Sequence, residues 1–168
     1  YYIKPKGEES PKKGLINQIK LIGIKPIQDN YRWLLIDTSV YKIENSVLVI
    51  PSTSKSGIRK KWPLDKYVNL CKKIEKLGNS ICLVGTENDR KITSRIANSC
   101  KNVIDLTGNS PPEVIYSIAV NCKLIITNDT GPGHIAALSK NRIIWIAQRN
   151  ITSKINIEKN KYNELILS

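Results

Sequence analysis

The only histidine of the chain, His134, stands in the segment TNDTGPGHIAAL, which follows a very apolar run. Thr130 and Gly131 precede it at the start of a predicted helix, where unpaired backbone N–H groups and the helix dipole favour an anion. Asp129 would repel a phosphate, so we expect its carboxylate to accept hydrogen bonds from a polyol or a sugar. His134 lies one helical turn after Thr130, and we expect it to contact the same ligand.

Each of these residues also suits a purely structural role. Asp129 and Thr130 are of the types that commonly cap helix N-termini. A single histidine in an apolar helix is more often a packed, hydrogen-bonded residue than a catalyst. The ligand-binding interpretation is favoured because three further polar loops are expected at the same end of the fold.

Each of these further loops follows an apolar run of strand length. The first, PSTSKSGIRKKW, carries the hydroxyls of Thr53 and Ser54 and the positive charge of Lys60, which suit a diphosphate. The second and third, GTEND and LTGNS, carry small polar and acidic side chains. With the segment around His134, they predict a site for a phosphorylated ligand.

A regular alternation of apolar runs and helical patterns positions the four loops. The predicted strands and helices are, in order, SVLVIPS, PLDKYVNLCKKIEKLG, SICLVG, ENDRKITSRIANSC, NVIDL, PPEVIYSIAVNC, KLIITN, GPGHIAALS and RIIWIA. Five strands alternating with four helices predict an α/β fold with a doubly wound parallel sheet. Ligands bind such sheets beyond the carboxyl ends of the strands, which is where all four loops are expected.

The segments that flank this unit are predicted differently. Residues 1–45 are predicted to be a linker and the tail of a missing N-terminal domain, with GLINQIKLIGI as a helix and YRWLLID as a strand or an extended linker. Residues 46–150 are the predicted α/β domain. Residues 151–168 are predicted to be a polar C-terminal tail with a weakly helical end. Because the chain contains no methionine, we expect it to be part of a longer protein.

Composition excludes several classes of protein. A length of 168 residues with 40% hydrophobic and 24% charged residues is typical of one globular domain. No apolar run reaches the roughly 18 residues of a membrane span. The four cysteines lack C-x-x-C spacing, so we expect no metal site and reduced, mostly buried thiols in a cytoplasmic protein. The sequence also lacks the glycine-rich signatures of P-loop hydrolases and dinucleotide dehydrogenases.

The formal net charge of +13 has two explanations that the sequence leaves open. It attracts anionic partners such as phosphorylated small molecules, an acidic membrane leaflet or nucleic acid. It is equally consistent with biased base composition. Nucleic acid is the least favoured of these partners, since the three Trp and seven Tyr are not interleaved with the lysines as a stacking surface requires.

Three segments carry a resemblance to a known family. RKKWPLDKYVNLCKKI, LVGTENDRKI and IDLTGNSPPEVIYSIAVNCKLIITNDTGPGHIAAL occur in the order and spacing of the heptosyltransferases of lipopolysaccharide core synthesis, glycosyltransferase family nine. The similarity covers residues 47–140, with a weaker match over 14–40. It implies a GT-B enzyme, in which two Rossmann-like domains face a cleft. In that arrangement, this chain resembles the C-terminal half, which binds the nucleotide-sugar donor, and the segment that leads into it.

The resemblance also implies roles for residues near the donor diphosphate. The position of Lys60 contacts the donor phosphates and sugar. Thr53 and Ser54 match hydroxyl positions near the diphosphate, and Thr130 and Gly131 match the helix-end amides that receive the phosphates.

Further roles concern the sugar and the nucleoside. Asp129 matches the acidic residue that bonds sugar hydroxyls, and His134 matches the histidine beside it. Either Glu87 or Asp89 is implied as the ribose acceptor. The residues implied near the base are Thr107, Gly108 and Asn109.

The function that the resemblance implies is inverting transfer of heptose, or a related sugar, from ADP-heptose to the lipopolysaccharide core. It implies three partners, which are the nucleotide-sugar donor, the core acceptor and an N-terminal GT-B domain. It implies no cofactor and no metal, and a cytoplasmic location with peripheral contact at the inner membrane. The family's catalytic base lies in the N-terminal domain, so we expect no catalytic residue in this chain and no transfer by it alone.

One departure supports an alternative function. The family continues after the histidine helix with a G-x-P and an F-G-P-T-like turn, which SKNRIIWIAQRN lacks. The alternative is a diverged, non-catalytic module that binds a nucleotide or a phosphate.

Overall fold

Six parallel strands form the sheet that organises the chain. The computed structural model describes residues 11–25, 30–53, 61–147, 157 and 161–167. Their strands are β1 (Ser46–Ile50), β2 (Ser80–Leu83), β3 (Val103–Asp105), β4 (Leu124–Asn128), β5 (Ile143–Ala147) and β6 (Asn163–Leu167). The strand order is β3-β2-β1-β4-β5-β6, and every neighbouring pair is parallel. This is the order of the doubly wound nucleotide-binding fold, so the predicted fold class is confirmed.

Helices cover both faces of this sheet. They are α2 (Leu64–Lys76), α3 (Arg90–Ala97), α4 (Pro112–Asn121) and α5 (Gly131–Ala137). A further helix, α1 (Pro11–Leu21), contributes no residue to the two core clusters of the described chain. Helix α2 shows why the pattern is readable, because its buried Tyr67, Cys71 and Ile74 recur every three or four residues. Gly78, with φ +79, ends that helix in the left-handed conformation.

Alternate side chains of each strand face the two helical layers. In β1, Val47 and Val49 pack with α2 and α3, while Leu48 and Ile50 pack with α4 and α5. All five residues of β1 are buried, as expected for a central parallel strand. The apolar runs of the sequence are therefore strands covered on both faces.

The strand order reverses between β1 and β4. From β1 the chain moves towards β2 and β3, and from β4 it moves towards β5 and β6. Asn128, at the end of β4, donates from Nδ2 to the carbonyl oxygen of Pro51, just beyond β1, at 2.9 Å. This reversal at the carboxyl edge of the sheet is the position where doubly wound folds bind ligands.

Two predictions outside the central unit need correction. The weakly helical end predicted for residues 151–168 is wrong, because residues 163–167 form β6, with Leu165 opposite Trp145 of β5. Of the two alternatives for residues 31–37, a strand or an extended linker, the strand is wrong, since a 3-10 turn (Arg32–Leu34) lies within them. The predicted helix in GLINQIKLIGI is confirmed as part of α1.

Part of the segment predicted to be a linker packs against α4. The hydroxyl of Ser117 donates to the carbonyl oxygen of Leu34 at 3.3 Å and accepts from the backbone N–H of Ile36 at 2.9 Å. Ile43 is buried in the core beside α4 and α5. The three-part division of the chain remains a prediction, but residues 34–43 are attached to the α/β unit.

The remaining composition-based expectations concern thiols and membranes. Cys71, Cys82 and Cys122 are buried and Cys100 is partly exposed, all as free thiols, so the expected burial of most of them is confirmed. Within the described ranges, no helix is long and apolar enough to cross a bilayer.

Candidate functional site

The carboxyl edge of the sheet brings together most of the residues singled out from the sequence. Thr53 follows β1 and is partly buried. Asp129 and Thr130 follow β4, directly beside β1 in the sheet. Ser54 and Lys60 lie outside the described residues, so their predicted contacts with a diphosphate remain predictions.

Asp129 and His134 form a pair at this edge. His134 Nε2 lies 3.1 Å from Asp129 Oδ1. A carboxylate oxygen can only accept, so we assign the shared proton to Nε2, which leaves Nδ1 for another partner. The Asp129 side chain is only 2% exposed and that of His134 is 42% exposed. The imidazole is therefore the member of the pair that a ligand reaches first.

The imidazole is also held from its other side. Its ring centroid lies 4.9 Å from that of Trp145 on β5, with 42° between the ring planes. Trp145 is 1% exposed, and its indole Nε1 donates to Asn163 Oδ1 on β6 at 3.0 Å. The ring of His134 is thus held by Asp129, just after β4, and by Trp145 on β5, and not by α5 alone.

The start of α5 presents a backbone donor that the helix itself does not use. The amide of His134 donates to the carbonyl oxygen of Thr130 at 3.1 Å, which closes the first turn. The first N–H groups of a helix have no acceptor within it. Pro132 has no N–H and Gly133 is buried, so the exposed Gly131 carries the accessible donor of this turn. A Cβ built on Gly131 meets no atom within 4 Å, so the backbone there is open to a close approach.

Gly133, two residues later, has a different role. A Cβ there would lie 2.6 Å from Thr127 Oγ1 and 3.0 Å from Trp145 Cζ3. The absence of a side chain therefore allows α5 to pack tightly on β4 and β5. That packing places His134 against Trp145.

The turn after β2 contains both candidate acids for the ribose. Asp89 Oδ2 accepts from the backbone N–H and the hydroxyl of Thr86, both at 2.8 Å, in a capping box. The Glu87 carboxylate is 70% exposed and accepts from Arg90 Nε and Nη2, both at 2.6 Å. The hydrogen bonds from Arg90 hold the pKa of Glu87 below its usual value.

The loop after β3 faces the same edge. Thr107 is buried, and its hydroxyl donates to Asp105 Oδ1, so its side chain points into the loop. Gly108 adopts φ +82, a conformation that favours glycine, and both it and Asn109 are exposed. Of the three residues predicted near the base, Gly108 and Asn109 are the accessible ones.

Several residues that shape the site were missed from the sequence. Arg90, Trp145 and Asn163 all contact residues named above. Arg90 stands three residues after Glu87, a spacing that predicts an ion pair on a helix and could have revealed it. Asn163 could not have been found, because its strand lies in the segment predicted as a tail. Among the described residues, no group of three His, Cys, Asp or Glu side chains could hold a metal ion.

The sheet order and its polar carboxyl edge define a Rossmann-like α/β unit of the kind found in GT-B glycosyltransferases. Residues 28–146 match the family model described as glycosyltransferase family 9 (heptosyltransferase). The match spans most of the chain, and the chain therefore belongs to this family.

Curated relatives agree with the family. The chain is 31% identical over 86 residues to lipooligosaccharide heptosyltransferase 2 of Haemophilus ducreyi. It is 33% identical over 89 residues to lipopolysaccharide heptosyltransferase 2 of Salmonella typhimurium. Each match covers 48% of this chain but only 25% of the relative. The chain thus matches about a quarter of the length of these enzymes.

Solved structures agree with the fold. A glycosyl transferase family 9 protein from Veillonella parvula superposes with a TM-score of 0.75 at 15% identity, over 98% of this chain and 52% of that chain. An E. coli heptosyltransferase solved with ADP-2-deoxy-2-fluoro heptose gives 0.69 at 19% identity, over 92% of this chain and 48% of that one. The chain therefore has the fold of about half of each of these proteins.

Proposed function

We propose that this chain is the donor-binding half of an inverting glycosyltransferase that transfers heptose, or a related sugar, from ADP-heptose to the lipopolysaccharide core. Membership of family 9 supports the reaction class. The observation that carries the donor-binding role is the Asp129–His134 pair beside the open start of α5, at the point where the strand order reverses. Both the position of these residues in the fold and their chemistry suit the binding of a nucleotide sugar.

The diphosphate lies, in this proposal, between the end of β1 and the start of α5. As the glycosidic bond breaks, the leaving nucleoside diphosphate gains negative charge. The N–H group of Gly131, fixed at the helix start, stabilises that charge without reorganising, and Lys60 adds a full positive charge. The hydroxyls of Thr53 and Ser54 add neutral donors.

The sugar lies next to His134. The buried Asp129 carboxylate orients the imidazole through Nε2, and the exposed side of the ring meets the ligand. Asp129 reaches sugar hydroxyls only where the ligand enters between the carboxylate and solvent, because its side chain is almost fully covered in the free chain. His134 is therefore the first contact and Asp129 the residue that holds it.

The nucleoside lies over the turns after β2 and β3. Of the two candidate acids for the ribose, we assign Glu87, because Asp89 Oδ2 already accepts two hydrogen bonds from Thr86. Gly108 and Asn109 border the base, while the buried Thr107 supports the loop from below.

Partners outside this chain complete the proposal. A second Rossmann-like domain supplies the catalytic base and positions the acceptor hydroxyl, a contribution that can account for much of the rate. The acceptor is the lipopolysaccharide core, reached by peripheral contact of a cytoplasmic protein with the inner membrane. The net charge of +13 suits an anionic leaflet and a phosphorylated acceptor.

Calorimetric titration of the chain with ADP and with ADP-heptose tests donor binding. Both should bind saturably, and His134→Ala should weaken ADP-heptose by about tenfold, which corresponds to about 1.4 kcal/mol. Arg95→Ala, an exposed residue near the end of α3, is the matched control and should bind as the unmodified chain does. Absence of saturable binding to both ligands, with the circular dichroism spectrum of a folded chain, would refute the proposal.

A measurement of sugar transfer, and not one of donor binding, distinguishes the proposed enzyme from the non-catalytic alternative. A protein that joins this chain to its N-terminal domain should release ADP from ADP-heptose in the presence of a core acceptor. Donor binding without any transfer by that protein would select the diverged binding module.

A further inference from the structure

One guanidinium group ties two loops of the carboxyl edge together. Arg90, the first residue of α3, donates from Nε and Nη2 to the two carboxylate oxygens of Glu87. The same Nη2 donates to the backbone carbonyl oxygen of Thr107 at 2.6 Å. The turn after β2 and the loop after β3 are thus joined by a single planar side chain.

Gly108 lies directly against this ion pair. A Cβ built on Gly108 would lie 2.5 Å from Glu87 Oε2 and 3.0 Å from Arg90 Nη2. The same residue has φ +82 and donates its backbone N–H to the carbonyl oxygen of Gly85 at 2.9 Å. The loop and the ion pair are therefore in close contact, and the ion pair has room only because no side chain is present at Gly108.

The ion pair is not needed to form the turn in which Glu87 stands. The capping box of Thr86 and Asp89 already closes that turn with hydrogen bonds in both directions. Exposed ion pairs contribute little to stability, and the side chains of Arg90 and Glu87 are 45% and 70% exposed. What Arg90 adds is a fixed direction for the Glu87 carboxylate and a side-chain link from that carboxylate to the carbonyl oxygen of Thr107.

We propose that Arg90 is a positioning residue for the nucleoside part of the donor, acting by holding the Glu87 carboxylate and the Thr107–Gly108 backbone in one arrangement. This inference rests on the proposed function, in which these two loops bind the nucleoside. Only arginine suits the role, because its planar fork donates to both carboxylate oxygens while a third N–H direction reaches the carbonyl. A lysine keeps the charge but not this geometry.

Two ligands that differ only by the nucleoside test the inference. The full chain and its variants Arg90→Ala and Arg90→Lys are titrated with ADP and with inorganic pyrophosphate, and their melting temperatures are recorded. Both variants should bind ADP about tenfold more weakly and bind pyrophosphate as the unmodified chain does. Arg95→Ala, at the other end of the same helix, should change neither affinity.

Gly108→Ala attacks the same contact from the loop side. The added Cβ displaces the ends of the Glu87 and Arg90 side chains. The variant should therefore also bind ADP more weakly and bind pyrophosphate as the unmodified chain does. Because Gly108 itself borders the proposed base site, the same change is also made in the Arg90→Ala background. There it should weaken ADP binding by clearly less, and an equal further loss would show that Gly108 acts apart from the ion pair and would count against the inference.

The outcomes separate this inference from the proposed function. If the unmodified chain binds neither ADP nor pyrophosphate, the proposed function fails, and the positioning role fails with it. If it binds ADP and the Arg90 variants bind ADP equally well, the proposed function stands and the positioning role is wrong. A parallel loss of both ligands together with a lowered melting temperature would show that Arg90 is only structural, which also overturns the inference.

Discussion

Gly133→Ala should destabilise the fold through one crowded contact. The added Cβ would lie 2.6 Å from Thr127 Oγ1 and 3.0 Å from both Thr127 Cγ2 and Trp145 Cζ3. Thr127 is 0% exposed and Trp145 is 1% exposed, so neither side chain can turn into solvent to make room. Helix α5 must therefore move away from β4 and β5.

The size of the effect follows from two opposing contributions. Overpacking a dense core costs about 1–3 kcal/mol, and two buried neighbours put this site at the upper end of that range. Alanine in place of glycine within a helix stabilises the folded state by up to about 1 kcal/mol. The net loss is about 2 kcal/mol, which for a chain of this size lowers the melting temperature by about 4–8 °C.

Thermal and urea unfolding followed by circular dichroism measure this loss, and Gly131→Ala is the matched control. Gly131 stands in the same helix, but its Cβ would meet no atom within 4 Å, so the free energy of unfolding should stay within about 0.5 kcal/mol. The control carries its own prediction, because a methyl group at the open start of α5 should weaken ADP binding while the melting temperature is kept. The packing described for α5 is wrong if Gly133→Ala has the same melting temperature as the unmodified chain. It is also wrong if Gly131→Ala lowers the free energy of unfolding as much as Gly133→Ala does.

Three further predictions concern other parts of the fold. Asn163→Ala removes the acceptor of the Trp145 indole N–H and should lower the free energy of unfolding by about 1–3 kcal/mol; in a Trp145→Phe background, which lacks the donor, the same change should cost clearly less. Hydrogen bonds from Arg90 lower the pKa of Glu87, so the ion pair should persist at neutral pH and be lost only as pH falls through that lowered value. In an NMR titration, the Glu87 carboxyl should therefore have a midpoint below the usual one for glutamate, and Arg90→Ala should return it to normal; equal midpoints in the two proteins would contradict the contact. Burial raises the pKa of all four thiols, to about 12 for Cys71 and Cys82 and about 11 for Cys122. The partly exposed Cys100 should accordingly react first with a thiol reagent at pH 8, and simultaneous reaction of all four thiols in the native chain would show that the core opens.

The central sheet was predictable because its local signals agree with its tertiary role. Each strand from β1 to β5 is a short apolar run, and each of β1 to β4 is followed by a helix. Short β-branched runs separated by amphipathic helices have few other ways to bury their side chains. The loops at the carboxyl edge then follow from the parallel topology alone.

Strand β6 was not predictable for the opposite reason. NELIL has only three apolar residues, and the preceding segment is polar, so its pattern does not distinguish a strand from a tail. What makes it a strand is the free side of β5, to which it pairs over five residue positions. Such pairing is a tertiary effect that no local pattern contains.

For the candidate site, the sequence suggests residue types but not their burial or their hydrogen-bond partners. The sequence places Asp129 near His134, but not the burial of the carboxylate or the exposure of the imidazole. It offers Glu87 and Asp89 as equivalent acids, whereas the structure uses Asp89 to close a turn. Burial and hydrogen-bond partners depend on neighbouring elements, and these are what the sequence alone leaves open.

The pairing of β6 with β5 has a practical consequence for anyone who shortens the chain. Truncation after residue 150, where the sequence predicts the end of the domain, would remove the edge strand β6 from the sheet. The five uncharged residues of Ile143–Ala147 would then form an edge strand with unpaired N–H and C=O groups, which can pair with another molecule of the same fragment. A recombinant piece ending there should be recovered as insoluble aggregate, and one that keeps residues 161–167 should stay in solution.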